Sequence, residues 1–215
     1  MLEDFEQARD KILLGKEIKT IALTAEDRKL TAFHEAGHAL IRLLLPKVMD
    51  PLHKVTIVPR GRALGVTHSI PEREKYNSNK EEMLASIKAA LGGRIAEEIE
   101  FQELSTGAYS DFLAATDIAR DMVCRYGMTD ALGPVVYSQR QGDFVYSQKT
   151  AEKIDNEVKA IIETCYTQAK EMLNQNRDKS TQLSQALLEK ETMYARDIYE
   201  LLGIEPREDH KFTQE

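Results

Sequence analysis

The sequence predicts a mainly α domain with a small β-ribbon and a helical bundle at its C-terminal end. Apolar residues recur every three or four positions over several long segments, which is typical of helices with one buried face. Only two short extended runs interrupt these segments, and each is closed by a proline. A hydrophobic content of 42% in 215 residues is enough for a real core.

The first long helix is predicted from Ala25 to Leu45. Thr24 is a suitable N-cap, and acidic residues follow it in the first turn, where they complement the helix dipole. Upstream, a short helix is predicted from Leu2 to Leu14, with a linker from Thr20 to Thr24.

Two extended runs follow the first helix. Residues 54–58 and 64–70 are separated by a glycine-containing segment that permits a tight reversal, so they are predicted to pair as an antiparallel ribbon. The polar residues 71–80 lack periodicity and are predicted to form a loop beside the functional site, which the histidine motif at 34–38 indicates.

The rest of the chain is predicted to be helical. Helices are expected over residues 79–100, 110–126, 149–175 and 180–202, with a possible break near Glu191; strand or loop candidates lie at 133–138 and 144–146, and a disordered tail at 206–215. Gly92 and Gly93 fall inside one of these helices, where each glycine costs about 1 kcal/mol relative to alanine. We therefore expect another element to pack closely there.

Composition excludes several classes of function. The net charge is −7 and the pI is near 5.4, and no basic stripe is present, which argues against a nucleic-acid partner. The most apolar stretch, Ala39 to Leu45, is interrupted by Arg42 and is far shorter than the roughly twenty residues of a membrane span, so the chain is expected to be soluble. Cys124 and Cys165 have no framework spacing, which favours a reducing compartment.

The most informative motif is His34-Glu35-Ala36-Gly37-His38. Side chains four residues apart lie on one face of a helix, so both imidazoles can bind one zinc ion. Glu35 follows His34 by roughly 100° of helix rotation, which places its carboxylate beside the metal, where it can accept a proton from a water molecule. The motif indicates metal-assisted hydrolysis, whereas the simpler alternative is a pair of hydrogen-bonded core histidines.

A catalytic zinc usually has three protein ligands and one open position. Asp111 lies on the apolar side of its predicted helix, where either a metal ion or N-capping would satisfy its charge. Glu97 is the other candidate, because a glutamate from a following helix also completes such sites. The residues alone leave these two open. The spacing of the other histidines (His53, His68 and His210) does not assign any of them to the metal site. Asp117 and Asp121 are predicted to be solvated.

Five ordered motifs extend this picture over nearly the whole chain. They are LTAFHEAGHAL at 30–40; VTIVPRG at 55–61 with ALGVT at 63–67; GGRIAEE at 92–98; STGA at 105–108, followed by Asp111 and, at 126–128, by YGM; and LLEKET at 187–192. Together they resemble the zinc peptidase domain of FtsH-type, membrane-anchored AAA proteases.

The resemblance implies a helical, zincin-like metallopeptidase domain at residues 25–205. It implies one Zn²⁺ per chain held by His34, His38 and Asp111, with Glu35 as the catalytic base. It also implies that Glu97 supports the site without binding the metal itself. Residues 1–24 resemble the last helix of the upstream ATPase module plus a linker.

The resemblance also implies partners. Family members are hexamers that degrade unfolded polypeptides delivered by an AAA ATPase ring, with a membrane anchor and the peptidase domain on the cytoplasmic, matrix or stromal side. The sequence has no phosphate-binding loop, so ATP binding is expected only in a module outside it.

Substrate orientation is predicted to come from the edge of the ribbon, over Gly65, Val66, Thr67 and His68, where backbone pairing accepts many sequences. Two alternative functions of the chain belong to other classes of protein. One is a non-catalytic, zinc-stabilised oligomerisation platform, and the other is a zinc hydrolase of small amides.

Overall fold

The computed structural model describes residues 8–9, 11–12, 15–17, 23–61, 63–71, 76–102, 105–137 and 146–206. The elements, in chain order, are α1 (Ala25–Leu44), β1 (Leu52–Thr56), β2 (Val66–Ser69), α2 (Lys80–Phe101), α3 (Tyr109–Cys124), α4 (Gln148–Gln175), α5 (Arg177–Lys190), β3 (Thr192–Tyr194) and α6 (Ala195–Leu202). The predicted mainly α architecture with a minor sheet is confirmed.

The two helices that carry most of the site begin at capping boxes. Thr24 Oγ1 accepts a hydrogen bond from the backbone N–H of Asp27 at 3.0 Å, and Asp27 Oδ2 accepts one from the N–H of Thr24 at 3.2 Å. Asn79 and Glu82 make the same reciprocal pair at the start of α2. These bonds satisfy backbone donors that a helix leaves free at its N-terminus, which fixes where α1 and α2 begin.

The sheet has the order β2-β1-β3, and both pairings are antiparallel. The predicted ribbon is therefore confirmed, although β1 begins two residues earlier than predicted and β2 is shorter. The break predicted near Glu191 is present, because Glu191 adopts φ 60° and ends α5. The three residues after it form β3, which the sequence did not predict.

Helices α1 and α2 cross in direct backbone contact. A Cβ placed on Gly37 would lie 2.3 Å from the carbonyl oxygen of Gly92, and a Cβ on Gly92 would lie 2.7 Å from that of Gly37. Only glycine at both positions permits this approach, so the close packing expected around the glycine pair is confirmed. Helix α4 packs against α2 and α3, and α5 packs against α1.

Some predicted features differ or fall elsewhere. Residues 133–137 form turns and irregular backbone, which is the loop alternative of the strand-or-loop prediction for 133–138. A single helix was predicted at 180–202, but the structure has two helices, α5 and α6, separated by the short strand β3. Most of the predicted N-terminal helix, residues 144–145 and the tail beyond residue 206 lie outside the described residues. Both cysteines are buried free thiols. Among the described helices, none combines the length and the apolar character that crossing a bilayer requires.

Candidate metal centre

His34 and His38 lie one turn apart on the face of α1 that meets α2, and their Nε2 atoms are 3.0 Å apart. Gly93 of α2 lies directly behind both rings. A Cβ at that position would come within 2.6 Å of His34 Cε1 and of His38 Nε2. The second glycine of the pair therefore leaves the space that the two imidazoles occupy.

Asp111, in the first turn of α3, completes a cluster with the two histidines. Its Oδ2 atom lies 3.1 Å from His34 Nε2 and 3.5 Å from His38 Nε2. This oxygen is buried and makes no hydrogen bond of acceptable geometry within the described residues. The described part of the chain contains no other group of three such side chains, with ligand atoms within 4.8 Å of one another, that could hold a metal ion.

The cluster fits a tetrahedral zinc ion. Ligand atoms at about 2.0–2.1 Å from a tetrahedral ion are separated from one another by roughly 3.3–3.4 Å. The three separations observed here are 3.0, 3.1 and 3.5 Å. Two imidazole nitrogens and a carboxylate oxygen are also the ligand types that zinc prefers, and no described residue donates a hydrogen bond to the buried Asp111 oxygen.

Hydrogen bonds on the far side of each imidazole fix its orientation. His34 Nδ1 lies 2.7 Å from Glu97 Oε1, and His38 Nδ1 lies 2.7 Å from the carbonyl oxygen of Ala89. Glu97 is itself held, because Ser105 Oγ donates to its Oε2 at 2.8 Å. With Nδ1–H donating, each ring presents Nε2 to the cluster, which is the arrangement typical of metal-binding histidines.

The charges of the site favour a cation. Burial disfavours the charged form of His34, but close contact with the carboxylates of Asp111 and Glu97 outweighs it and raises the pKa of His34 to about 10. Burial likewise opposes ionisation of the two carboxyls, yet contact with the imidazoles holds the pKa of Asp111 and of Glu97 below its usual value. This excess of negative charge would equally stabilise a divalent ion.

Glu35 lies next to the cluster and is 5% exposed. Thr67 of β2 donates a hydrogen bond through Oγ1 to Glu35 Oε2 at 2.6 Å. Gly65 lies against the other carboxylate oxygen, since a Cβ there would be 2.7 Å from Oε1. One oxygen of Glu35 is thus anchored, and the second is accommodated by the missing side chain of Gly65.

These side chains line one cleft of about 650 Å³. The cleft includes the three cluster residues, Glu35 and Glu97, and β2 forms part of its wall through Val66 and Thr67. β2 is an edge strand of the sheet, as its predicted role in binding substrate requires. His68 does not line the cleft, and its ring packs edge-on against His53 with centroids 5.7 Å apart.

The remaining predicted positions lie apart from the cluster. Asp117 is exposed, and Asp121 forms an ion pair with Arg125. The sequence did not indicate the contact between Thr67 and Glu35, nor the supporting roles of Ser105 and the Ala89 carbonyl, because each depends on how distant segments meet.

Comparisons with known proteins show which family the chain belongs to. The model of peptidase family M41 matches residues 21–201. A protein of Cupriavidus metallidurans named "ATP-dependent zinc metalloprotease FtsH" is 46% identical over 213 residues, covering 95% of this chain and 33% of that protein. Proteins with the same name from Myxococcus xanthus and Pelodictyon phaeoclathratiforme are 46% and 47% identical, covering 94% and 93% of this chain and 33% and 32% of theirs.

The chain spans about a third of the length of these curated relatives. The resemblance to the FtsH-type peptidase domain is confirmed by a family match that covers most of the sequence and by relatives that align along nearly all of it. The chain therefore belongs to peptidase family M41.

Proposed function

We propose that this chain is a zinc-dependent endopeptidase domain that hydrolyses unfolded polypeptides. The observation that carries the proposal is the convergence of His34 Nε2, His38 Nε2 and Asp111 Oδ2 in the cleft that also holds the carboxylate of Glu35. His34, His38 and Asp111 would hold one zinc ion, and Glu97 would support His34 through Nδ1.

A zinc ion bound by these residues supplies Lewis-acid activation of a water molecule and of a substrate carbonyl. Glu35 is the general base, which accepts the proton of the attacking water on its carboxylate and then delivers it to the nitrogen of the leaving amine. Thr67 holds Oε2 of Glu35, so Oε1 is the oxygen we assign to proton transfer.

The substrate would bind as an extended chain along β2, from Gly65 through Val66 and Thr67 to His68. Backbone pairing at an edge strand recognises the main chain and not particular side chains, which suits broad specificity and requires an unfolded substrate. His68 would contribute only its backbone, because its ring lies outside the cleft.

In the whole protein, we propose that the domain works as part of an ATP-dependent, membrane-anchored protease. The relatives named "ATP-dependent zinc metalloprotease FtsH" support the ATP-dependent part of this proposal. An upstream AAA ATPase would bind ATP and deliver substrates to a homo-hexamer, with the peptidase domain on the cytoplasmic, matrix or stromal side of the membrane.

The test combines metal analysis with digestion of labelled, unfolded casein, which requires no unfolding motor. We expect one zinc per chain in the wild type and in Glu35→Gln, and a rate in Glu35→Gln that is lower by about 10²–10⁴-fold. Glu26→Gln, an exposed acid in the first turn of the same helix, is the matched control and should digest casein normally. Normal digestion by Glu35→Gln would exclude Glu35 as the base. Zinc that stabilises the fold without any casein cleavage would instead favour the oligomerisation platform.

A further inference from the structure

A positively charged side chain reaches the cleft, one helical turn beyond His38. Arg42 follows His34 and His38 at the same spacing along α1, and it lines the same cleft. The proposed reaction gives it no role. It also interrupts the apolar stretch of the helix, so the chain places a cation where the packing pattern alone would favour an apolar residue.

The guanidinium of Arg42 is only partly satisfied by the protein. Nη1 donates to Ser69 Oγ at 3.3 Å, at the end of β2. Nε is buried and makes no hydrogen bond within the part of the chain that the structure describes. Burial lowers the pKa of Arg42, although the charge of Asp50 acts in the opposite direction. An arginine nevertheless stays charged in proteins, so a partly desolvated cation lines the cleft.

The charges that line the cleft are divided between its ends. The carboxylates of Glu35, Glu97 and Asp111 lie at the metal centre. Among the described residues, Arg42 is the one lysine or arginine that lines the cleft. An acidic group on a substrate would be attracted by Arg42.

We propose that Arg42 binds a carboxylate of the peptide substrate and so gives this cleft a preference for acidic sequences; this inference rests on the proposed function. A planar guanidinium is suited to a charge-assisted hydrogen bond with a carboxylate.

The spacing defines where the carboxylate belongs. Four residues of helix separate Arg42 from His38, which is about 6 Å along the axis, and an extended peptide covers that distance in roughly two residues. On β2, the residues that contact Glu35 and Arg42 are Thr67 and Ser69, which lie two residues apart. Side chains two residues apart in a strand lie on one face. The carboxylate therefore lies about two residues from the cleaved bond.

Two sources could supply this carboxylate: an internal aspartate or glutamate, or the C-terminus of the peptide. Binding is measured first, in the Glu35→Gln background, so that the result does not depend on turnover. The probes are unstructured fluorescent peptides with blocked ends that differ by a single Gln or Glu, moved along the sequence, together with the Gln peptide carrying a free C-terminal carboxylate. Fluorescence anisotropy gives the Kd of each.

We expect the best-placed Glu peptide, or the peptide with the free C-terminus, to bind about tenfold tighter than the blocked Gln peptide. Adding Arg42→Met should reduce this ratio to about one. Arg120→Met, an exposed residue of α3 that removes the same charge outside the cleft, should preserve it. The same ratios in kcat/KM, with Glu35 restored, then test whether the preference extends to cleavage.

Equal binding of the Gln and carboxylate peptides, or a preference that survives Arg42→Met, would overturn the inference. A preference that is present in binding and lost with Arg42→Met, but with no cleavage of any peptide, would support the carboxylate site and refute the proposed peptidase activity. Binding thus tests the carboxylate site at Arg42, and cleavage separately tests the proposed peptidase activity.

Discussion

Removing one hydroxyl from β2 should slow the proposed reaction without removing its metal. The hydroxyl is that of Thr67, which donates to Glu35 Oε2 at 2.6 Å. Thr67→Val keeps the branched shape that a strand favours and deletes only the donor. Valine therefore separates the contribution of the hydrogen bond from that of packing.

The magnitude follows from the type of bond. An O–H···O⁻ bond of this length is charge-assisted, and hydrogen bonds to charged groups contribute about 1.5–3 kcal/mol. Without it, the nearly buried carboxylate of Glu35 loses its anchor, and the orientation of Oε1 is no longer fixed. Each 1.4 kcal/mol corresponds to about a tenfold change in rate, so kcat/KM should fall about 10- to 100-fold.

The assay measures kcat and KM for an internally quenched, unstructured peptide, with zinc content determined on the same samples. We expect the loss in kcat, with one zinc still bound per chain. Thr67→Ser restores the donor on the same Cβ and should recover most of the rate. An unchanged kcat/KM in Thr67→Val, or an equal loss in Thr67→Ser, would refute the reasoning.

Two further predictions concern stability. Gly37→Ala should destabilise the fold by about 3 kcal/mol or more in urea unfolding, because its Cβ would lie 2.3 Å from the Gly92 carbonyl oxygen and would force α1 and α2 apart; Gly107→Ala, whose Cβ has nothing closer than 3.4 Å, is the control, and similar effects in both would contradict the argument. Hydrogen bonds from Lys170 and Tyr166 lower the pKa of Glu98 below 4.5, so its stabilising contribution of about 1 kcal/mol is present above that pH and is lost as the pH falls through the folded-state pKa. Glu98→Gln should therefore be less stable than the wild type at pH 7 and nearly equal to it at strongly acidic pH, and a stability difference independent of pH would exclude this linkage.

The sequence predicted the helices well because their signals are local. Thr24 and Asp27 lie three residues apart and alone define the start of α1. β3 was missed for the opposite reason: it has three residues, directly follows a helix, and is stabilised by pairing with β1. Its pairing partner lies more than 130 positions away, since Thr56 and Thr192 bond at a separation of 136 residues.

The same distinction applies to the site. The two histidines were predicted because helix geometry fixes their relation, whereas the residues alone left the choice between Asp111 and Glu97 open. The two acids differ in which side of the His34 ring they meet: Asp111 approaches Nε2 and Glu97 approaches Nδ1. The crossing of α1, α2 and α3 determines that difference, and no local spacing encodes it. The assignment of Asp111 as the third ligand and of Glu35 as the base stays a prediction for the experiments above.

The position of β3 affects how a ribosome-bound chain would fold. β1 and β2 are neighbours in sequence and can pair early, but the second edge of β1 has no neighbour until residues 192–194 have been synthesised. A strand left open for that long can pair with other nascent chains. Because such distant contacts form slowly, we expect the closing of this sheet to be the step at which chaperones most affect the yield of folded protein.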